Sequence, residues 1–234
     1  FDKVVGERPN LWLYIHGPTH HWAISAQREA ALLLPAAETF STVRSLLSGS
    51  FENYPSRTLE GAWLAAIYPD HGWGGKEGQI TDRLFRKKYE FARDTGREIL
   101  ASALESIAAE VNTSPGGIPV IVFNTLSWKR TDPVVCTVKP LSSNFVIHDS
   151  QGKPVAHQLL PQVPDQEPGK VRIEFIAQDV PAIGYKTFYL VEDKTSSAEK
   201  SEVKSLQAAS TKALLPTASH ENNFYSIELA PGGI

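Results

Sequence analysis

The hexapeptide Asn112-Thr113-Ser114-Pro115-Gly116-Gly117 constrains the fold of this chain more than any other stretch. Before it, apolar residues recur at three- and four-residue steps. After it, they come in short runs and alternations cut by Pro and Gly. The first period belongs to helices that bury one face, the second to strands of a sheet. Separate blocks of the two predict an α+β multidomain chain, a three-helix bundle followed by an antiparallel β-sandwich that is incomplete. The 234 residues are enough for one large or two ordinary domains. Residues 1–18 read as a lead-in segment, 19–112 as the bundle and 118–234 as the start of the sandwich.

The first helix is expected from about Thr19 to Leu47, with Trp22, Ala26, Leu33, Ala37, Phe40, Val43 and Leu47 as its apolar stripe. Pro35 removes an amide donor inside it and predicts a kink near Ala31–Pro35. Ser56 is placed to cap a second helix, about Arg57 to Tyr68, striped by Leu59, Ala62, Trp63, Ala66 and Ile67. A third, about Thr81 to Val111, starts at Thr81 or Asp82 and buries Phe85, Ala92, Thr95, Ile99, Ala103 and Ile107. Arg83, Arg86, Lys87, Glu90, Arg93 and Arg97 make its solvated face. There the i,i+4 pairs Asp82–Arg86 and Arg86–Glu90 add about a few tenths of a kcal/mol each.

Strands are expected over Ile118–Phe123, Pro133–Val138, Phe145–His148, Val155–Leu159, Val171–Ile176, Ile183–Val191 and Phe224–Leu229. A hairpin turn falls at Asp149-Ser150-Gln151-Gly152. Glu192–Lys212, rich in Ser, Lys, Glu and Ala, reads as a linker or long loop.

Net charge −3 and a pI near 6.2 give no basic excess for nucleic acid or an anionic membrane. No apolar run approaches a membrane span, and Cys136, the single cysteine, rules out an intrachain disulfide. The stretch richest in chemistry is Tyr68–Gly78, between the second and third helical patterns. It gathers Asp70, His71, Trp73, Lys76, Glu77 and four glycines in eleven positions. One reading has His71 presented into a site built mainly by other parts of a larger protein. The other is a glycine-rich connection whose histidine bonds locally, since one histidine is not a metal site. His16, His20 and His21 draw the eye as metal ligands, but Gly17-Pro18 argues against the single helix that would align them. Glu60, Asp70, Glu77 and Asp82 lie near the stretch, and none sits in the pattern of a nucleophile.

Several words, in order, carry a resemblance. They are Asn124-Thr125-Leu126-Ser127-Trp128-Lys129-Arg130, the run Asp149–Gln158, Val180-Pro181-Ala182-Ile183-Gly184-Tyr185-Lys186-Thr187, and Glu221-Asn222-Asn223-Phe224-Tyr225. Together they resemble the start of the C-terminal β-domain of glycoside hydrolase family 38 α-mannosidases, and the helical part resembles that family's middle domain. The resemblance covers nearly the whole chain. It implies a fragment of a retaining α-mannosidase with one zinc ion. The nucleophile, the acid/base carboxylate and most zinc ligands would come from a missing N-terminal catalytic domain, so no catalytic residue lies here. By position His71 matches a metal-binding histidine of that family. Trp12, Tyr14, Asp70 and Trp73 would touch substrate, and Asp70 or Glu77 would orient the His71 ring. Gly72 stands where the family carries an aspartate. A mannose-containing oligosaccharide or glycoside is the implied substrate, with the chain inactive alone and with no nucleic acid and no membrane as partner. An extracellular or periplasmic location is favoured over the cytoplasm. Two other readings stay open: a carbohydrate- or protein-binding module on a helical spacer, and an assembly role with the bundle as a dimerisation surface.

Overall fold

The structure, a computed structural model, describes residues 21–67, 78–114, 116–164, 166–193, 219–221 and 226–228. Helices α1 (His21–Ser48), α2 (Ser56–Ala66) and α3 (Gly78–Ala109) run up, down and up. The pairings show the directions: Ala23 and Ala26 meet Tyr89, Leu34 meets Gly96, and Phe40 meets Ala103 and Ile107. Short connections make α2 antiparallel to both neighbours and α1 parallel to α3.

The seam between α1 and α3 is lined by small residues. Ala23, Ala26, Ala30, Ala37 and Ala92 are buried, and a Cβ on Gly96 would lie 3.1 Å from Leu34 Cδ2. Small side chains bring the helix axes close, so the gain comes from dense contact more than from large apolar area. The expected stripe of α1 holds in its middle, where Ala26, Ala37 and Phe40 are buried and Leu33 and Val43 half-buried, and is corrected at its ends: Trp22 and Leu47 are 61% and 65% exposed, while Ala23, Ala30, Leu34 and Ser41 are buried. Ile67 in the expected stripe of α2 is likewise exposed, and Trp63 is only partly covered.

Pro35 does not stop α1, which continues to Ser48. Pro35 and Ala31, whose carbonyl loses its partner, are both exposed, so water can satisfy the freed oxygen. Ser56 is the first helical residue and not the cap. Pro55 occupies the cap position without a side-chain bond, and its carbonyl accepts the Leu59 amide at 2.9 Å. Helix α3 starts at Gly78, three residues before the expected Thr81.

The strands are β1 (Ile118–Asn124), β2 (Arg130–Val138), β3 (Phe145–Asp149), β4 (Pro154–Val155), β5 (His157–Leu160), β6 (Val171–Val180) and β7 (Gly184–Glu192). They form two antiparallel sheets, β1-β7-β3-β4 and β2-β6-β5. Strand β2 alternates half-buried and exposed residues along its whole length, as a strand with one covered face must. Ile147, Phe188 and Leu190 of the first sheet pack on Ile173, Phe175 and Ala177 of the second, with the Phe175 and Phe188 rings 4.9 Å apart. The expected turn closes β3 to β4. Asp149 Oδ1 accepts the Gln151 and Lys153 amides at 2.9 and 3.0 Å, and Gly152 takes φ +79°.

Asn124 joins two of the words singled out in the sequence. Its buried Nδ2 donates to the carbonyls of Trp128 (2.7 Å), Pro181 (3.0 Å) and Val180 (3.3 Å), and Oδ1 accepts the Leu126 amide at 3.0 Å. Leu126 O in turn accepts the Ile183 amide at 2.9 Å. Both words therefore brace one end of the sandwich.

Bundle and sandwich meet through aromatic rings. Phe123 lies edge-on to Phe40 at 5.8 Å and tilted on Tyr185 at 5.7 Å. Gly117 reaches the first strand with φ +93°, where a Cβ would fall 2.5 Å from Leu190 O, so only glycine fits. The described residues up to Glu192 make one compact unit and those from Asp193 a second. The second contains the antiparallel pair β8 (Ser219–Glu221) and β9 (Ser226–Glu228). Most of the expected 192–212 linker lies outside the described residues.

Candidate functional site at the bundle end away from the sandwich

The first turns of α1 and α3 and the end of α2 share one end of the bundle. Phe40, which meets the sandwich, is 18 positions from Trp22, about 27 Å along a helix. The chemistry-rich stretch is bracketed by the two helix ends at Ile67 and Gly78. Trp12, Tyr14, Asp70, His71 and Trp73 all lie outside the described residues, as do His16, His20 and Glu77. What can be built is the frame that holds the bracketing ends.

Tyr89 anchors that frame. It is fully buried among Ala23 and Ala26, its ring stacks on Phe85 at 6.1 Å, and its hydroxyl reaches Ile67 O at 3.5 Å, at the last turn of α2. Around the rim, the Arg86 guanidinium sits 5.7 Å from the Trp22 ring centroid, a cation–π distance. Arg86 Nε also donates to Glu90 Oε1 at 2.8 Å, as the i,i+4 spacing predicted. His21 is exposed, edge-on to Trp22 at 5.2 Å. This Trp22–Arg86–Glu90 group is absent from the sequence reading, which assigned Trp22 to the core. An arginine one helix away gives no local pattern with it.

The described residues contain no group of three His, Cys, Asp or Glu side chains arranged to hold a metal ion. A zinc site would therefore need His71 together with ligands outside the described set. Acid chemistry fares no better. Among the described residues, every carboxylate whose pKa departs clearly from its ordinary value departs downward: Asp94, bonded by Arg93; Asp179, bonded by Lys129; and Asp149. For Asp149 burial pushes upward but is outweighed by the two amide bonds and nearby lysines. A general acid needs the opposite shift. A cleft of about 200 Å³ between the sheets is lined by Phe123, Asn124, Arg130 and Asp132 among others. Its charged groups are already joined at 2.6 Å, so it presents no free group for proton transfer.

No protein-family model and no curated protein sequence matches the chain. Solved structures do. A protein in glycosyl hydrolase family 38 from Enterococcus faecalis matches 90% of the chain with a TM-score of 0.61 and 18% identity. An α-mannosidase from Enterococcus faecalis V583 matches 92% with a TM-score of 0.59 and 18% identity. The chain spans about 27% of the length of either. The helical bundle followed by two sheets is thus the fold of about a quarter of those larger glycosidase chains.

Proposed function

We propose that this chain is the bundle-and-sandwich part of a longer α-mannosidase-like glycoside hydrolase, and that it acts by completing and bracing an active site housed mainly in a catalytic domain outside it. The observation that carries the reading is a fold match over nine-tenths of the chain to two such proteins, at an identity too low to reflect more than architecture. His71 is the residue we assign to the metal, as one neutral imidazole in a zinc set of about four ligands. Zinc would polarise the reacting centre. This chain's part is to hold the ends of the His71 connection fixed through Tyr89 and the Trp22–Arg86–Glu90 rim, with Trp12, Tyr14, Asp70 and Trp73 as sugar contacts. A retaining reaction would use two carboxylates about 5–5.5 Å apart, both supplied by the catalytic domain.

The test is hydrolysis of an aryl α-mannoside by the longer polypeptide and by the 234-residue chain. The longer polypeptide should turn over, lose activity to a chelator and regain it with zinc, while the short chain stays inactive. Turnover by the short chain, or no α-mannosidase activity in the longer one, contradicts the reading.

A second reading, a carbohydrate-binding module, draws on Trp128 and Tyr185, which are 60% and 41% exposed on the sandwich. Affinity electrophoresis in mannan with Trp128→Ala tests it: retardation lost in the variant supports that reading, and unchanged mobility removes it.

A further inference from the structure

We propose that the rim at the bundle end away from the sandwich, Trp22 of α1 with Arg86 and Glu90 of α3, is a binding subsite for one neutral pyranose unit of a glycoside. Trp22 is 61% exposed. The Arg86 guanidinium lies 5.7 Å from its ring centroid, and His21 stands against the ring at 62° without stacking on it. Arg86 is itself pinned by Glu90 at 2.8 Å, yet the two side chains keep 45% and 31% of their surface open. That bond uses only Nε of the guanidinium and Oε1 of the carboxylate. Among the described residues, Arg86 Nη1 and Nη2, Glu90 Oε2 and the Trp22 indole N–H have no hydrogen-bond partner. Bracing the frame needs the ring and the ion pair; it leaves these polar atoms unused.

The unused atoms select the ligand. An apolar ring beside a fork of donors and one acceptor suits a molecule with a C–H face and hydroxyls around its edge. Each hydroxyl can donate to Glu90 Oε2 or accept from Arg86, and the planar fork reaches two neighbouring hydroxyl oxygens at once. The ion pair has no net charge, so an anion loses at Glu90 what it gains at Arg86. A wholly apolar side chain would strip water from both charged groups without return. Arg86 is held by ring and carboxylate together, so little side-chain freedom is left for a ligand to quench. Below the rim, Tyr89 packs on Ala23 and its hydroxyl reaches Ile67 O, where the His71 connection leaves α2. That shared frame is why the pyranose is assigned to the same glycoside as the proposed hydrolysis, as a unit away from the reacting bond; this part rests on that reading.

The test is nuclear magnetic resonance titration of the isotope-labelled 234-residue chain with α-linked mannotriose, followed on its five indole N–H signals. The Trp22 signal, identified by its loss in Trp22→Phe, should shift and saturate, while an anionic oligomer of mannuronate binds no tighter. Arg86→Lys loses the fork and Glu90→Gln the charged acceptor, and each should weaken binding by about three- to tenfold. Trp22→Ala should abolish saturation transfer to the mannotriose protons with unchanged far-ultraviolet circular dichroism, since the exposed ring is not part of the core. A Trp22 signal that does not move, or a shift confined to Trp128, overturns the proposal. So does binding indifferent to both Arg86→Lys and Glu90→Gln, or tighter binding of mannuronate. Binding at Trp22 beside a longer polypeptide without α-mannosidase activity keeps the subsite and removes the hydrolase reading; hydrolysis with Trp22 silent does the reverse.

Discussion

The bundle and the sandwich hold together by opposite means. Between α1 and α3 the buried positions are mostly alanine, with Gly96 under Leu34 and only Leu34, Phe40, Tyr89 and Ile107 supplying bulk. Between the sheets the buried positions are Ile147, Ile173, Phe175, Phe188 and Leu190. The bundle gains from closeness and the sandwich from volume. The first should therefore suffer from added atoms and the second from removed ones.

The largest expected effect is on the sandwich side. Phe188→Ala removes a ring that is 1% exposed and packed at a tilt on Phe175, and should cost about 3–5 kcal/mol in denaturant unfolding. A loss below about 1 kcal/mol would mean that the sheets close the gap, and that volume is not what holds them. Asn124→Ala comes next. It strips the donor from three carbonyls and the acceptor from the Leu126 amide, a cost of about 1–3 kcal/mol by the same measurement. Gly96→Val probes the other region. A Cβ there already meets Leu34 Cδ2 at 3.1 Å and Leu33 Cβ at 3.3 Å, so branching should cost about 1–2 kcal/mol. A neutral result would show that the helices can part without loss and would break the contrast.

The smallest effect concerns pH. His157 stacks on Phe145 at 5.2 Å across the two sheets, and burial pushes its pKa down against a backbone bond at Val155 that pushes it up. The unfolded chain thus takes up a proton before the folded one. Stability is flat above the unfolded pKa of about 6.5 and falls as pH drops from there to the folded pKa, below which it levels again. His157→Phe keeps the stack and should flatten the urea midpoint across that window. An unchanged slope would place its origin elsewhere.

Much of the fold was legible before any coordinates. The switch of period at 112–117 separated helices from strands because each period follows from where successive side chains point. The Asp149–Gly152 turn was legible because its chemistry is local. The face of α1 was legible in its middle, at Ala26, Ala37 and Phe40, and not at its ends, where Trp22 and Leu47 are exposed because a seam of small side chains leaves large ones outside. The helix start at Ser56 shifted because Pro55 takes the cap position with no side-chain bond that sequence could reveal. Asn124 read as a turn residue, since its partners at Val180 and Pro181 are more than fifty positions away. The concentration of chemistry around His71 lies outside the described residues. The frame beside it was not legible, because Trp22, Arg86 and Tyr89 come together only through the packing of α1 on α3.

The account rests most heavily on His71 as a ligand supplied to a metal held mainly elsewhere. Metal content of the longer polypeptide, measured after exhaustive dialysis for the original and for His71→Ala, addresses that directly. One zinc per chain in the original and a large loss in the variant, with circular dichroism unchanged, is the predicted result. Full zinc occupancy in His71→Ala would contradict it.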